Sequence, residues 1–274
     1  METEFFLNKS AQGFLLSSVS INTEIQSDNR CLNCDEPVKG SFCSNCGQKF
    51  QPTKLPLRLY IEDTVETLFN VDNRVFRTLK DLLIKPGKIT RDYIAGQRAS
   101  YLPPLRIYIS ISVVYFLITL LTNSSQVFLV NLGSEAAESG FGKVIQVFMF
   151  VLVPLFALFT KWLHRKRKAY YVEYLIFSLH IHSVWFFLLS FSVLATWCYT
   201  YFQIDEGSFF YYSVAAIQII ARSLFLIYFV VYLKKVFVQP WWKAIFKSMG
   251  IIFLYILAMI LIILPYLFLT NQLT

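Results

Sequence analysis

The chain has 274 residues, of which 56% are hydrophobic, 18% aromatic and only 15% charged. Soluble proteins carry about 25% charged residues, so this composition excludes an ordinary soluble domain and indicates a membrane protein. The net charge of +8 does not by itself indicate a nucleic-acid partner, because membrane proteins collect Lys and Arg in their cytoplasmic loops.

The sequence before the membrane helices divides into a tail, a cysteine-rich segment and a neck. Residues 1–30 are polar and aperiodic, which predicts a flexible N-terminal tail. Residues 51–103 contain apolar residues at helix-like intervals, which predicts an amphipathic helical neck, cytosolic or at the membrane interface. Pro86-Gly87 is predicted to end one neck helix and Gly96 another.

The cysteine-rich segment, residues 31–50, contains two Cys-x2-Cys pairs separated by eight residues. The pairs are Cys31 with Cys34 and Cys43 with Cys46. Four thiolates satisfy the tetrahedral preference of Zn²⁺, and about twenty residues cannot bury enough core to fold without a metal. The spacing therefore predicts a structural zinc ribbon, because four cysteine ligands leave no open position for catalysis. In an oxidising compartment the same cysteines would pair as disulfides, so topology decides between the two.

Five apolar stretches follow Pro103-Pro104, each close to or above the ~20 residues that cross a hydrocarbon core of about 30 Å. They lie at about residues 105–122, 144–162, 174–199, 209–233 and 247–269. We therefore predict an all-α integral membrane protein with about five transmembrane helices within residues 104–274. The four-cysteine zinc ribbon and the amphipathic helical neck precede this bundle.

Loops rich in Lys and Arg alternate along the chain with loops that contain almost none, which predicts the orientation of the chain. Four or five Lys and Arg lie in each of the segments 85–106, 161–172 and 234–247. One or none lies in the segments 122–143 and 200–208 and after residue 269. Because cytoplasmic loops carry the excess of Lys and Arg, we expect the N-terminus in the cytoplasm and the C-terminus outside. A reducing cytosol keeps clustered thiols unpaired, which favours zinc.

Four polar side chains inside the predicted spans form a candidate intramembrane site, and they are His180, His182, Gln218 and Arg222. An arginine near the centre of a span costs about 2.5–3.5 kcal/mol to insert. His182 and Arg222 lie about 14 Å and about 16 Å from the inner ends of neighbouring helices, so contact between them is expected. His180 and His182 cannot both point at Arg222, and a polar seam with Ser178 and Ser183 is predicted. The residues leave three roles open: a structural role, a proton or anion path, and a site that grips a lipid phosphate.

Three residues before or at the start of the first span are predicted to contact lipid headgroups, and they are Arg98, Tyr101 and Arg106. Tyrosine is stable at headgroup level, and arginine pairs with lipid phosphate. These residues would either anchor and orient the protein or selectively capture an anionic lipid or polyprenyl phosphate.

The chain resembles a family of bacterial inner-membrane proteins of unknown function. The matching pieces are the ribbon end Phe42-Cys43-x-x-Cys46-Gly47-Gln48, "DNRVFRTL" from Asp72 to Leu79, Pro86-Gly87, "DYIAGQRASYLPPLRIYI" from Asp92 to Ile109 and "VFVQPWWKAIFK" from Val236 to Lys247. The resemblance implies an N-terminal cytosolic zinc ribbon, a neck and a multi-helix bundle in the bacterial inner membrane. It implies no activity.

The sequence contains no Walker loop, Gly-rich dinucleotide turn, HExxH or G-x-S-x-G motif, so we expect no enzyme. We predict a scaffold or adaptor whose ribbon and neck dock a protein partner at the lipid bilayer. The few Lys and Arg beside the ribbon do not indicate nucleic acid. The sequence leaves open whether the protein has a small-molecule substrate. The alternatives are a transporter or channel-like bundle that uses Arg222 and His182, or a lipid-handling membrane enzyme.

Overall fold

The structure, a computed structural model, describes only part of the chain. The described residues are 30–50, 57–58, 60–61, 74–122, 126–127, 130–131, 141–205 and 207–271. The predicted flexible tail lies outside them, apart from Arg30. The chain divides into two compact units, Met1–Thr53 and Lys54–Thr274.

In the first unit the described residues form a knuckle, residues 30–50, built from two similar turns. Antiparallel bridges between Arg30 and Pro37 and between Phe42 and Lys49 close the two turns. The repeated form follows from the repeated Cys-x2-Cys spacing. Apart from the cysteines, Val38 is the buried hydrophobic residue of its core, so the sulfurs themselves form most of the interior.

The second unit begins with the neck, whose described helices are α1 (Arg74–Ile84) and α2 (Lys88–Ile94). Gly87 separates them with a left-handed backbone, φ +77°, which glycine adopts at no steric cost. Gly96, with φ +96°, follows the end of α2. Both glycines therefore lie at helix boundaries, as the sequence predicts.

Beyond the neck, the described residues of this unit form five apolar helices and a short pair of strands. They are α3 (Pro104–Thr122), β1 (Gln126–Val127), β2 (Val130–Asn131), α4 (Phe141–Leu163), α5 (Tyr171–Tyr201), α6 (Phe209–Phe237) and α7 (Trp241–Asn271). β1 and β2 pair antiparallel, with Val127 opposite Val130. Proline at the first position of α3 fits a helix start, where its missing N–H has no partner to lose.

Four of the five helices are long and apolar enough to cross a membrane. Their apolar segments are Pro104–Thr122, Tyr171–Cys198, Phe209–Phe237 and Trp241–Leu261. Helix α4 contributes a shorter apolar segment, Leu152–Leu163. The predicted class, an all-α integral membrane protein, is confirmed. Helix α7 begins at Trp241 rather than near residue 247, because helical backbone continues beyond the apolar stretch.

Helix α5 is the centre of the bundle. Of the most apolar stretch of α5, 83% is buried inside the protein, against 6% of the corresponding stretch of α6. Large aromatic side chains of α5, Tyr174, Phe177 and Phe186, are fully buried. Polar side chains on α5 are therefore held inside protein, whereas much of α6 faces the surroundings of the bundle.

Candidate functional site

The two cysteine turns of the knuckle are closed by equivalent backbone hydrogen bonds. Cys31 donates its N–H to the carbonyl of Glu36 and accepts the N–H of Asp35, both at 2.8 Å. In the second turn Cys43 accepts the N–H of Gly47 at 2.9 Å. Asp35 and Gly47 occupy equivalent positions with φ of +62° and +70°, conformations that Asp and Gly adopt more readily than most residues.

The turns direct four sulfurs at one point. The four Sγ atoms lie within 4.8 Å of one another, and the Cys31–Cys46 and Cys34–Cys43 pairs are each 3.5 Å apart. Sulfurs at about 2.3 Å from a tetrahedral ion would be about 3.8 Å apart, whereas a disulfide requires about 2.05 Å. The cluster is therefore a candidate metal site of four free thiols.

The surroundings of Cys43 and Cys34 shift the pKa values of their thiols in opposite directions. The backbone N–H groups of Cys46 and Asn45 point at the sulfur of Cys43 and lower its pKa to about 7. The backbone N–H of Glu36 lowers the pKa of Cys34, but burial and the other three sulfurs raise it to about 12. A metal that binds all four sulfurs must therefore displace protons at neutral pH.

A second candidate site is a cavity of about 400 Å³ between α4, α5, α6 and α7. Most of its lining is aliphatic or aromatic. Its polar lining residues are His182, Arg222, Ser223 and Tyr255. The structure thus brings His182 and Arg222 to the same cavity from neighbouring helices.

The ring of His182 is fixed by two hydrogen bonds. Its Nδ1 lies 2.7 Å from the carbonyl oxygen of Ser178 and its Nε2 lies 3.1 Å from the hydroxyl of Tyr255. A carbonyl only accepts, so Nδ1 carries the hydrogen and, in the neutral ring, Nε2 accepts from Tyr255. Tyr255 lies 73 residues from His182 along the chain, and nothing in the sequence pointed to it.

Arg222 and Gln218 both bond to α5. Arg222 Nη2 donates to the hydroxyl of Ser192 at 3.2 Å. Gln218 Nε2 donates to the carbonyl of Ser192 at 3.2 Å and to the hydroxyl of Thr196 at 3.3 Å. The Nε of Arg222 is buried and has no hydrogen-bond partner among the residues that the structure describes.

The predicted polar seam with Ser178 and Ser183 is wrong. The Ser178 hydroxyl donates to the carbonyl of Val153 at 2.8 Å, and the Ser183 hydroxyl donates to the carbonyl of Leu179 at 2.8 Å. Serine hydroxyls in apolar helices commonly satisfy themselves on nearby carbonyls. They are therefore already paired, and Ser192 is the residue that meets Arg222.

His180 faces away from the cavity, towards the neck. Its Nδ1 lies 2.8 Å from the hydroxyl of Thr90, which is also hydrogen-bonded to the hydroxyl of Tyr232. All three side chains are buried. This buried polar hub (Thr90, His180 and Tyr232) joins α2, α5 and α6, and neither Thr90 nor Tyr232 was singled out by the sequence.

Residues 72–116 match the model of a family described as protein of unknown function (DUF3667). This confirms the predicted resemblance to an uncharacterised family over that segment. No curated protein and no solved structure matches the chain.

The DUF3667 segment contains α1, α2 and most of α3, and it packs against the rest of the bundle through polar side chains. Thr90 bonds to His180, and Tyr228 donates its hydroxyl hydrogen to the carbonyl of Leu82. The segment that matches the family therefore forms one end of the bundle's packed interior.

Two of the three predicted headgroup residues are buried. Tyr101 and Arg106 are 8% and 5% exposed. The Tyr101 hydroxyl donates to Asp81 at 3.2 Å and lies 3.4 Å from Lys88 Nζ. This burial argues against headgroup contact by Tyr101 and Arg106, because both side chains lie within protein. The Arg98 guanidinium lies 5.3 Å from the centre of the Tyr93 ring, and its headgroup contact stays a prediction.

Proposed function

We propose that this integral membrane protein is a scaffold or adaptor whose zinc-bound knuckle docks a protein partner. The closed arrangement of Cys31, Cys34, Cys43 and Cys46, within 4.8 Å of one another, carries the proposal. Four thiolates hold Zn²⁺ tetrahedrally and leave no position for substrate, so the ion would supply folding energy rather than chemistry.

Exposed apolar side chains, two of them aromatic, support the docking role. In the knuckle, Phe42 is 61% exposed. In the neck, Phe76 of α1 is 81% exposed and Ile84 is 65% exposed. Large aromatic residues are enriched at protein interfaces relative to the rest of the surface. The partner in this proposal contacts the knuckle through Phe42 and the neck through α1.

The proposed location is the bacterial inner membrane, with the N-terminus in the cytoplasm and the C-terminus outside. Two cation–π pairs at the α6–α7 junction support this orientation. Lys234 Nζ lies 4.6 Å from the ring centre of Trp241, and Lys243 Nζ lies 5.1 Å from that of Trp242. Tryptophan is enriched at membrane interfaces and lysine on the cytoplasmic side.

The test of this proposal is recovery of a crosslinked partner from native membranes. The double substitution of Cys31 and Cys43 by Ser removes two ligands and is expected to abolish zinc binding and partner recovery while the helices still insert. Cys198→Ser changes a thiol of α5 outside the knuckle and is the matched control. It is expected to retain zinc binding and partner recovery. Unchanged recovery of the partner by the zinc-free variant would contradict the docking role.

A transporter or channel-like bundle is the second candidate, and the cavity that contains Arg222 and His182 favours it. Under this alternative, Arg222→Leu abolishes a solute flux into proteoliposomes. Gln218→Leu, which removes a neighbouring bond to α5 but lies outside the cavity lining, keeps that flux. Intact flux in Arg222→Leu would exclude the role.

A further inference from the structure

Arg222 is a cation near the middle of a membrane-spanning helix. It lies next to the midpoint of α6, a helix of 29 residues. Among the described residues, no carboxylate forms an ion pair with it. Across all five apolar helices the sequence contains a single acidic residue, Glu173, in the first turn of α5. A charge at this depth is costly unless it is paired.

The guanidinium retains free donor capacity on the wall of a cavity. Nη2 uses one hydrogen on the neutral hydroxyl of Ser192 at 3.2 Å, and the buried Nε has no partner within the described part of the chain. A guanidinium presents its donors as a planar fork that matches a carboxylate. Ser223, the next residue, also lines the cavity and carries a hydroxyl.

The remainder of the cavity is suited to an apolar body. About 400 Å³ is within the usual range of small-molecule pockets. Three lining side chains are also exposed at the outer surface of the bundle: Ile219 at 62%, Leu226 at 53% and Ile256 at 49%. The cavity therefore opens between α6 and α7, on the side that faces lipid, and a ligand reaches it from the bilayer.

We propose that this cavity binds a long-chain carboxylic acid, with the carboxylate on Arg222 and the hydrocarbon chain along the apolar walls. Depth distinguishes this ligand from a phospholipid headgroup. Arg222 is thirteen residues from Phe209 and fifteen from Phe237, or about 20 Å from each end of α6. A phosphate fixed at the membrane surface does not reach that depth, whereas a carboxylic acid enters the apolar core in its neutral form. It then binds Arg222 as the carboxylate and releases its proton to the aqueous phase.

The test uses the full-length protein in nanodiscs of phosphatidylcholine and a palmitic acid that carries a diazirine in its chain. We expect saturable labelling of α6 and α7 around Ile219 and Ile256. The matched diazirine alcohol has the same chain and no charge, and it is expected to bind at least about tenfold more weakly. This comparison needs no variant and stands even if a substitution prevents folding.

Substitution of Arg222 then tests whether its charge binds the carboxylate. Arg222→Gln is expected to weaken palmitate binding about tenfold or more, because charge-assisted hydrogen bonds are lost. Ser213→Ala removes a hydroxyl of α6 that donates to the carbonyl of Phe209 in its own helix and lies outside the cavity lining. It is expected to leave the affinity within about twofold of the wild type. The proposal requires neither the zinc site nor transport, so its failure would leave the adaptor role intact.

Three results would overturn the proposal. The first is equal binding of the acid and the alcohol, which identifies an apolar groove that annular lipid fills. The second is unchanged affinity in a folded Arg222→Gln variant. The third is displacement of palmitate by phosphatidylglycerol as efficiently as by unlabelled palmitate, which identifies a headgroup site instead.

Discussion

The knuckle and the bundle hold their polar groups in different ways. In the knuckle, the buried interior consists of the thiols and Val38, so the ligand atoms are also the core. In the bundle, His182 is surrounded by aromatic rings, with the Phe156 ring centre at 4.9 Å and that of Tyr255 at 5.8 Å. The comparison indicates that the knuckle has little core beyond its four candidate metal ligands, whereas the bundle is stabilised by packing. Under the proposed function, the knuckle therefore needs an ion to fold.

Removal of zinc gives the largest expected effect and separates the two regions. Structural Zn²⁺ sites contribute about 10–16 kcal/mol of apparent binding free energy, so chelation should unfold the knuckle completely. All five tryptophans lie in the bundle, between Trp162 and Trp242. We expect rapid proteolysis within residues 30–50 after chelation and unchanged tryptophan fluorescence. A fluorescence change of the size seen on denaturation would show that the bundle also needs the ion.

Substitution of Gly87 in the bundle is expected to give the next largest effect, and Gly40 in the knuckle serves as its control. A Cβ at Gly87 would lie 3.0 Å from Lys235 Cβ and 3.1 Å from Val236 Cγ2, on a backbone with φ +77°. Gly87→Ala should therefore lower the free energy of unfolding of the bundle by about 2–4 kcal/mol, through strain and overpacking. Gly40→Ala in the knuckle meets no atom within 4 Å. It is expected to change the free energy of unfolding by less than about 0.5 kcal/mol. Equal effects of Gly87→Ala and Gly40→Ala would refute the close packing at Gly87.

The buried polar hub tests whether packing alone stabilises the bundle. Thr90→Val keeps the shape of the side chain but leaves the His180 ring nitrogen and the Tyr232 hydroxyl without this partner. We expect a loss of about 1–3 kcal/mol in the free energy of unfolding, measured by denaturant titration. Thr119→Val is the matched control, because the Thr119 hydroxyl bonds to a carbonyl of its own helix. A loss no larger than that of the control would mean that the hub contributes nothing.

Acid provides the mildest perturbation of the knuckle. Bound zinc needs thiolates, while the free cluster holds protons at neutral pH because the pKa of Cys43 is about 7 and that of Cys34 is about 12. Protons therefore compete with the metal as the pH falls. We expect the zinc affinity to decrease by at least about tenfold for each pH unit below 7, measured with a competing chelator. An affinity independent of pH would exclude thiolate ligands.

Local features were the ones that the sequence could predict. The apolar stretches indicated the helices, and Gly87, Gly96 and Pro104 marked their ends because their backbone preferences are intrinsic. The proximity of the four sulfurs also follows from local spacing, since Cys31 and Cys46 are only 15 residues apart.

Long-range packing was not predictable in the same way. Helices α5 and α6 are both apolar on all faces, so no periodic pattern distinguishes the buried helix from the exposed one. The partner of His180 is Thr90, ninety residues earlier in the chain. The burial of Tyr101 and Arg106 likewise results from how the neck packs, which interfacial preferences of single residues do not encode.

The most direct test of the account is the metal content of the full-length protein, purified from membranes under reducing conditions. Elemental analysis and X-ray absorption should find one zinc ion per chain with four sulfur neighbours at about 2.3 Å. Protein that is folded in the knuckle yet contains no zinc, with Cys31, Cys34, Cys43 and Cys46 joined in two disulfides, would contradict the account.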